Sequence, residues 1–125
     1  AGKKINVTFV PHLLPRNRGI LATIYLKKRK NAKGLPAGRQ GKRKNLISLY
    51  KKFYKKEPFV RIREKGYFPR LKDVVGTNFC DIGIKDSESN VIIVVAIDNL
   101  LKGASGQAVQ NMNIMCRFPE YTGLT

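Results

Sequence analysis

Residues 77–97 read TNFCDIGIKDSESNVIIVVAI, and this stretch decides the fold. Two runs rich in β-branched residues, Thr77–Lys85 and Asn90–Ile97, flank the polar turn Asp86–Asn90, which predicts a β-hairpin. Working upstream, Gly66, Pro69 and Gly76 punctuate a loop, and Phe59–Arg63 alternates apolar with basic residues as a short strand. Before it, Leu46, Leu49, Tyr50, Phe53 and Tyr54 recur at helical spacing, with Asn45 as N-cap and Pro58 as the stop, so an amphipathic helix lies over a core. Gly19–Leu26 (GILATIYL) predicts another strand. Ile5, Val7 and Phe9 alternate with Asn6 and Thr8 as a further one, ended by Pro11, and Pro11–Arg18 is a loop. Downstream, Leu100–Met115 is a last helix. The sum is an α+β fold: a mostly antiparallel, mixed sheet with flanking helices.

At 125 residues the chain is expected to form a single domain over residues 1–125. That length can bury roughly two-thirds of its unfolded surface without disulfide or metal staples. The longest apolar runs, Val91–Ile97 and Gly19–Leu26, fall far short of the ~20 residues that a bilayer span needs, and no signal-peptide pattern opens the sequence. A soluble, cytoplasmic protein with no membrane partner is expected. Cys80 and Cys116, with the single His12, lack the paired spacing of a zinc site, so no metal is expected, and both thiols read as buried and inert.

The formal charge of +17 is uneven: residues 27–65 carry 16 of the 25 Lys and Arg and only Glu57 and Glu64, a local +14. Within this stretch Asn31–Gly41 reads NAKGLPAGRQG, with three Gly, one Pro and no apolar period, as expected of a surface loop. A basic nucleic-acid-binding surface over residues 27–65, releasing counterions on binding, is one reading. A solvated basic insertion at about 28–44 is the other, and the preferred one. Tyr50, Phe53 and Tyr54 could stack on bases, yet their spacing is that of a helix face turned to a core.

The last helix is unusual. Gly103, Ala104, Ser105, Gly106 and Ala108 crowd its first half, where each Gly costs up to ~1 kcal/mol relative to Ala. Small side chains admit close approach, either of a ligand or of the helix to its own sheet. The amides of Gln107, Gln110, Asn111 and Asn113 could serve a ligand edge.

The stretches VTFVPHLLP (7–15), RGILATIY (18–25), LYKKFYKKEPFVRI (49–62), GTNFCDIG (76–83), AIDNLLKGASGQAVQNMNIM (96–115) and the closing TGL (122–124) together resemble the N-acetyl-gamma-glutamyl-phosphate reductase family. The resemblance implies a C-terminal domain of the semialdehyde dehydrogenase and glyceraldehyde-3-phosphate dehydrogenase-like kind, used for catalysis and dimer contacts. An N-terminal dinucleotide-binding domain is then expected outside this sequence, with a catalytic Cys placed after that domain's sheet.

By the same resemblance, the complete enzyme uses NADPH to reduce N-acetylglutamyl 5-phosphate to the 5-semialdehyde in arginine biosynthesis. A thiolate displaces phosphate, the thioester accepts hydride, and a His moves protons. No catalytic residue is expected on this chain: Cys80 belongs to the GTNFCDIG packing motif, and the proton-shuttling His is implied upstream, which leaves His12 structural. Gly103, Ser105, Gly106, Gln107 and Asn111 are implied to line the nicotinamide side of an NADP bound mainly by the other domain. Asn17 and Arg18 could face the substrate's anionic end, with a loop salt bridge as the competing role for Arg18. A homo-oligomer is expected for the full-length enzyme, and the isolated chain is expected to be inactive. Two alternatives stand beside this reading: the nucleic-acid-binding domain, and an assembly module completed by a separate nucleotide-binding chain.

Overall fold

The computed structural model describes residues 6–28 and 45–124. In chain order the elements are strand β1 (Ile20–Lys27), helix α1 (Leu46–Phe53), strand β2 (Val60–Ile62), a 3-10 turn (Leu71–Asp73), strands β3 (Cys80–Asp86) and β4 (Asn90–Ile97), a π-helical turn (Leu101–Ser105) and helix α2 (Gly106–Met115). The strands form one sheet in the order β1-β4-β3-β2. β4 pairs antiparallel with β1, Ile20 opposite Ile97, and with β3, Cys80 opposite Ile97. β2 joins β3 in parallel, Val60 opposite Cys80. The sheet is therefore mixed and mainly antiparallel, as the hairpin reading requires.

Alternation along β3 and β4 sends Ile82, Ile84 and Ile93 to one face, where they form the core under Leu46, Ile47, Tyr50 and Tyr54 of α1, with Val60, Ile62, Cys80, Val91 and Val95 around them. Asn45 caps the helix: its side-chain oxygen accepts from the Ile47 N–H at 3.1 Å. Leu49 and Phe53, expected on the core face, instead stand exposed, Phe53 at 74%. An eight-residue helix of little more than two turns over a narrow sheet can bury only one stripe, and Ile47 takes the place that Leu49 was expected to fill.

The opposite face is crossed by the loop 66–79. A Cβ on Gly83 would lie 2.7 Å from Pro69 Cδ and 3.2 Å from Phe68, so β3 is bare where the loop passes. The hairpin turn is tied by Ser87, whose hydroxyl donates to the Asn90 carbonyl at 2.9 Å.

Three expected boundaries move. Asn6–Val10 form no strand, and Val7, Phe9 and Val10 are exposed: an alternating pattern makes a strand only where a partner edge accepts its hydrogen bonds, and none lies beside it among the described residues. Ile5 of that expectation, and residues 29–44 of the basic insertion, lie outside the described residues. β3 begins at Cys80 rather than Thr77, because Thr77 turns back, its N–H bonding the Val74 carbonyl at 3.0 Å after Gly76 adopts φ +81°. The last helix opens with the wide π turn before α2.

Candidate functional site

The chemistry gathers at the end of β4, around Asp98. Its side chain is fully buried. Oδ2 accepts from Arg18 Nε at 2.7 Å and from the Gly76 N–H at 2.7 Å, and forms an ion pair with an Arg18 Nη 2.5 Å away. Oδ1 accepts from the N–H groups of Leu100 and Leu101 at 2.9 and 3.2 Å, satisfying donors that the opening helical turn would otherwise leave unpaired. Burial alone pushes the Asp98 carboxyl up, but the bonds from Gly76, Arg18, Leu100 and Leu101 outweigh it and hold the group below the usual carboxylate range. Next door, Asn99 Oδ1 accepts from the Gly19 N–H at 2.6 Å. Two consecutive residues thus tie the entry to β1, the turn at Gly76 and the start of the terminal helix into one knot.

The π turn begins on this knot, with the Gly103 N–H bonding the Asp98 carbonyl at 3.1 Å. Gly103, Ala104 and Ser105 are exposed, and the Ser105 hydroxyl donates to the Leu100 carbonyl at 2.8 Å. Gly106 is different: it is buried, and a Cβ there would meet Asn78 Oδ1 and come within 2.9 Å of the Leu101 carbonyl carbon and oxygen. Gln107 donates to Asn111 at 2.9 Å along the outer face of α2.

Below the turn runs a buried amide chain. Asn78 donates to Gln110 Oε1 at 3.0 Å, Lys102 Nζ to the same oxygen at 2.6 Å, and Gln110 to Glu120 at 2.5 Å. Asn113 donates to the carbonyls of Glu120 and Thr122, locking the C-terminal segment onto α2. Lys102 sits over the Phe59 ring, and its burial pulls its pKa down against the charges of Cys80, Glu120 and Glu57.

The sequence-predicted residues are partly brought together. Arg18 lies on Asp98 with its side chain 33% exposed, and Gly103 and Ser105 lie on the turn that Asp98 caps. Asn17 is exposed in the loop before them, Asn111 is exposed one turn or more along α2, and Gly106 faces inward. His12 is exposed, its Nδ1 3.2 Å from the Val10 carbonyl. Among the described residues no cluster of three or more His, Cys, Asp or Glu gathers as for a metal ion, and no helix is long and apolar enough to cross a membrane. Asp98, Asn99, Asn78 and Lys102 were missed as site builders. The signal was there in DN directly after the most apolar strand, where a buried carboxylate needs several donors.

One expectation needs correction. Cys116 is exposed rather than buried, because α2 ends one residue before it; Cys80 alone is half-buried, its thiol pushed up by burial. The described cations of the basic stretch divide: Lys27, Lys52, Lys55, Lys56 and Lys65 are exposed, and four others are paired. Arg61 and Arg63 both turn onto the fully buried Asp81, Arg61 at 2.6 Å, while Lys28 faces Asp86 and Lys51 faces Glu64.

Comparison with known proteins agrees with this layout. The N-acetyl-gamma-glutamyl-phosphate reductase of Citrifermentans bemidjiense is 52% identical over 126 residues, taking in 99% of this chain and 34% of the relative. The proteins of the same name from Geobacter sp. strain M21 and Staphylococcus saprophyticus are 51% and 48% identical with the same coverage. The chain therefore spans about a third of the length of the curated relatives it matches. The family described as semialdehyde dehydrogenase, dimerisation domain, matches residues 1–99, the strands and loops that build the sheet and the Asp98 knot, and to that family the chain belongs.

Proposed function

We propose that this chain is the catalytic and dimerisation part of an NADPH-dependent reductase that converts N-acetylglutamyl 5-phosphate to N-acetylglutamate 5-semialdehyde and phosphate, with the nucleotide domain and nucleophile on the remaining two-thirds of the polypeptide. The observation that carries this reading is the convergence at Asp98: the loop expected to meet the substrate and the turn expected to meet the cofactor are fastened to one carboxylate. Nearly identical names on relatives at about half identity support the reaction.

The residues fit a nicotinamide cofactor. Gly103, Ala104 and Ser105 are exposed and small, and a Cβ on Gly103 would meet only ordinary contacts, the nearest at 3.6 Å. A flat ring can rest there against backbone, with Gln107 and Asn111 on the next turns as amide partners. When bound, the nicotinamide supplies the hydride. Gly106 serves from within, by letting α2 close onto Asn78. Arg18 offers the guanidinium edge not turned to Asp98 to the substrate's anionic group, and Asn17 stands beside it. Cys80 does not act as nucleophile, because its thiol is half-buried and pushed away from the thiolate form.

The outer sheet edge, uncovered among the described residues, supplies the self-association. Ile20, Leu21, Ile24, Tyr25 and Leu26 of β1 are all exposed, Ile20, Ile24 and Leu26 as an apolar strip on one face and Leu21 and Tyr25 on the other, surface that a second copy would cover.

The test is a chimera in which this chain replaces the matching third of the Citrifermentans bemidjiense relative. Turnover of N-acetylglutamyl 5-phosphate, followed by NADPH consumption, is expected within about tenfold of the parent. A folded chimera that binds NADPH but leaves the acyl phosphate untouched would overturn the reading.

A further inference from the structure

We propose that Asp98 is the positioning residue of this site, holding the Arg18 guanidinium by one edge so that its other edge is presented to the substrate's anionic group at a fixed distance from the Gly103–Ser105 turn. The inference rests on the assignment of Arg18 to the substrate in the preceding subsection.

The geometry singles out this carboxylate. An arginine side chain free in a loop samples many rotamers, and ordering it on binding costs free energy. Here that ordering is already done. Nε of Arg18 donates to Oδ2 and one Nη lies 2.5 Å from the same oxygen, while a third of the side chain remains exposed, and among the described residues the other Nη has no hydrogen-bond partner.

The same carboxylate takes the N–H groups of Leu100 and Leu101 on Oδ1, and the Asp98 carbonyl takes the Gly103 N–H. The distance from Arg18 to the small-residue turn therefore passes through the atoms of one residue rather than through two independent loops. Asn99 repeats the tie one residue on, from its side chain to the Gly19 N–H. The Gly76 N–H on Oδ2 ties the same carboxylate to the loop 66–79. What sets this acid apart is where its donors come from: Oδ2 takes the Arg18 side and Oδ1 the start of the terminal turn, so one carboxylate relates two surfaces.

Asp98→Asn separates the two roles. The amide oxygen can still accept from Leu100 and Leu101, so the turn stays capped, but the amide nitrogen then confronts Arg18 and the Gly76 N–H with a third donor. In the full-length reductase carrying this chain, D98N is expected to raise the KM for the acyl phosphate about tenfold or more, to lower kcat less than about threefold, and to leave the KM for NADPH unchanged. R18Q is expected to raise the same KM, and the double variant to be no worse than R18Q alone, because Asp98 acts through Arg18.

Should D98N fail to fold, Asp98→Glu keeps the charge while displacing it by one methylene, and the same rise in KM is expected at smaller size. A D98N or D98E protein with unaltered KM and only a lowered melting temperature, beside an R18Q protein with raised KM, would overturn the positioning role and leave the substrate assignment standing. An R18Q protein with unaltered KM would overturn both, starting with the substrate assignment.

Discussion

The two edge strands of the sheet are treated in opposite ways. β2 is three residues long and half-buried along its length; Arg61 lies 4.2 Å over the Phe79 ring, reaches the Asp73 carbonyl at 2.9 Å and pairs with Asp81 on the neighbouring strand. β1 is eight residues long, carries no charge before Lys27, and leaves Tyr25 74% exposed among four exposed aliphatic neighbours. Proteins blunt an edge strand with brevity and charge when it must stay solitary, and leave it long and apolar when something is to cover it. β2 is closed within this chain. Among the described residues nothing covers the outer edge of β1, which is what the proposed self-association requires, and the family is described as a dimerisation domain.

The sharpest way to break this contrast is to charge β1. Ile24→Asp places a carboxylate in the middle of the strip, and a symmetric interface receives it from both copies. Sedimentation velocity should show self-association weakened by at least about a thousandfold, some 4 kcal/mol, with the fold intact by circular dichroism. A wild-type chain that stays monomeric at high concentration would remove the contrast altogether. The converse experiment acts on the other edge. Asp81→Asn takes the charge from between Arg61 and Arg63, both about one-third exposed, so the full cost of a broken buried pair is reduced to about 2 kcal/mol of folding stability in urea. Self-association of the folded fraction should not change.

A smaller version of the same contrast lies within the terminal helix. Gly106→Ala forces a methyl against Asn78 and the Leu101 backbone and should cost about 1–3 kcal/mol in chemical denaturation. Gly103→Ala meets only ordinary contacts, the nearest at 3.6 Å, and should be neutral or stabilising by up to about 1 kcal/mol, while weakening NADPH binding in the full-length reductase. Equal destabilisation by both would show that the turn serves packing throughout.

These differences mark what the sequence could express. The hairpin, the capped helix and the small-residue turn were legible because period, cap and composition are local, and Asn90–Ile97 begins and ends where its pattern does. The strand expected at Ile5–Phe9 failed because alternation records an apolar face but not whether an edge is present to pair with it. For Gly106 the packing role was one of two open readings, and only the position of Asn78, 28 residues away, shows it in place. Arg18 was legible as a fork for an anion or for a loop acid. The structure shows the acid to be Asp98, 80 positions on, held by donors from three segments that no spacing rule connects.

The two thiols offer the mildest test of inside against outside. Cys116 follows the last turn of α2 and is exposed, whereas burial pushes the Cys80 thiol up, with Lys102 opposing and Asp81 adding to the rise. The thiolate is the reactive form, so a raised pKa moves its appearance to higher pH. A disulfide reagent at neutral pH should therefore modify Cys116 promptly and Cys80 slowly, the gap between them narrowing as pH climbs and closing in denaturant. Charge reversal at the neighbour makes the reason visible. Lys102→Glu would add a second anion near the sulfur and delay Cys80 further, while Cys116 keeps its rate. Were both thiols to react alike in the folded chain, Cys80 would be as open as Cys116, and the closure of the β2 edge over the start of β3 would be overturned.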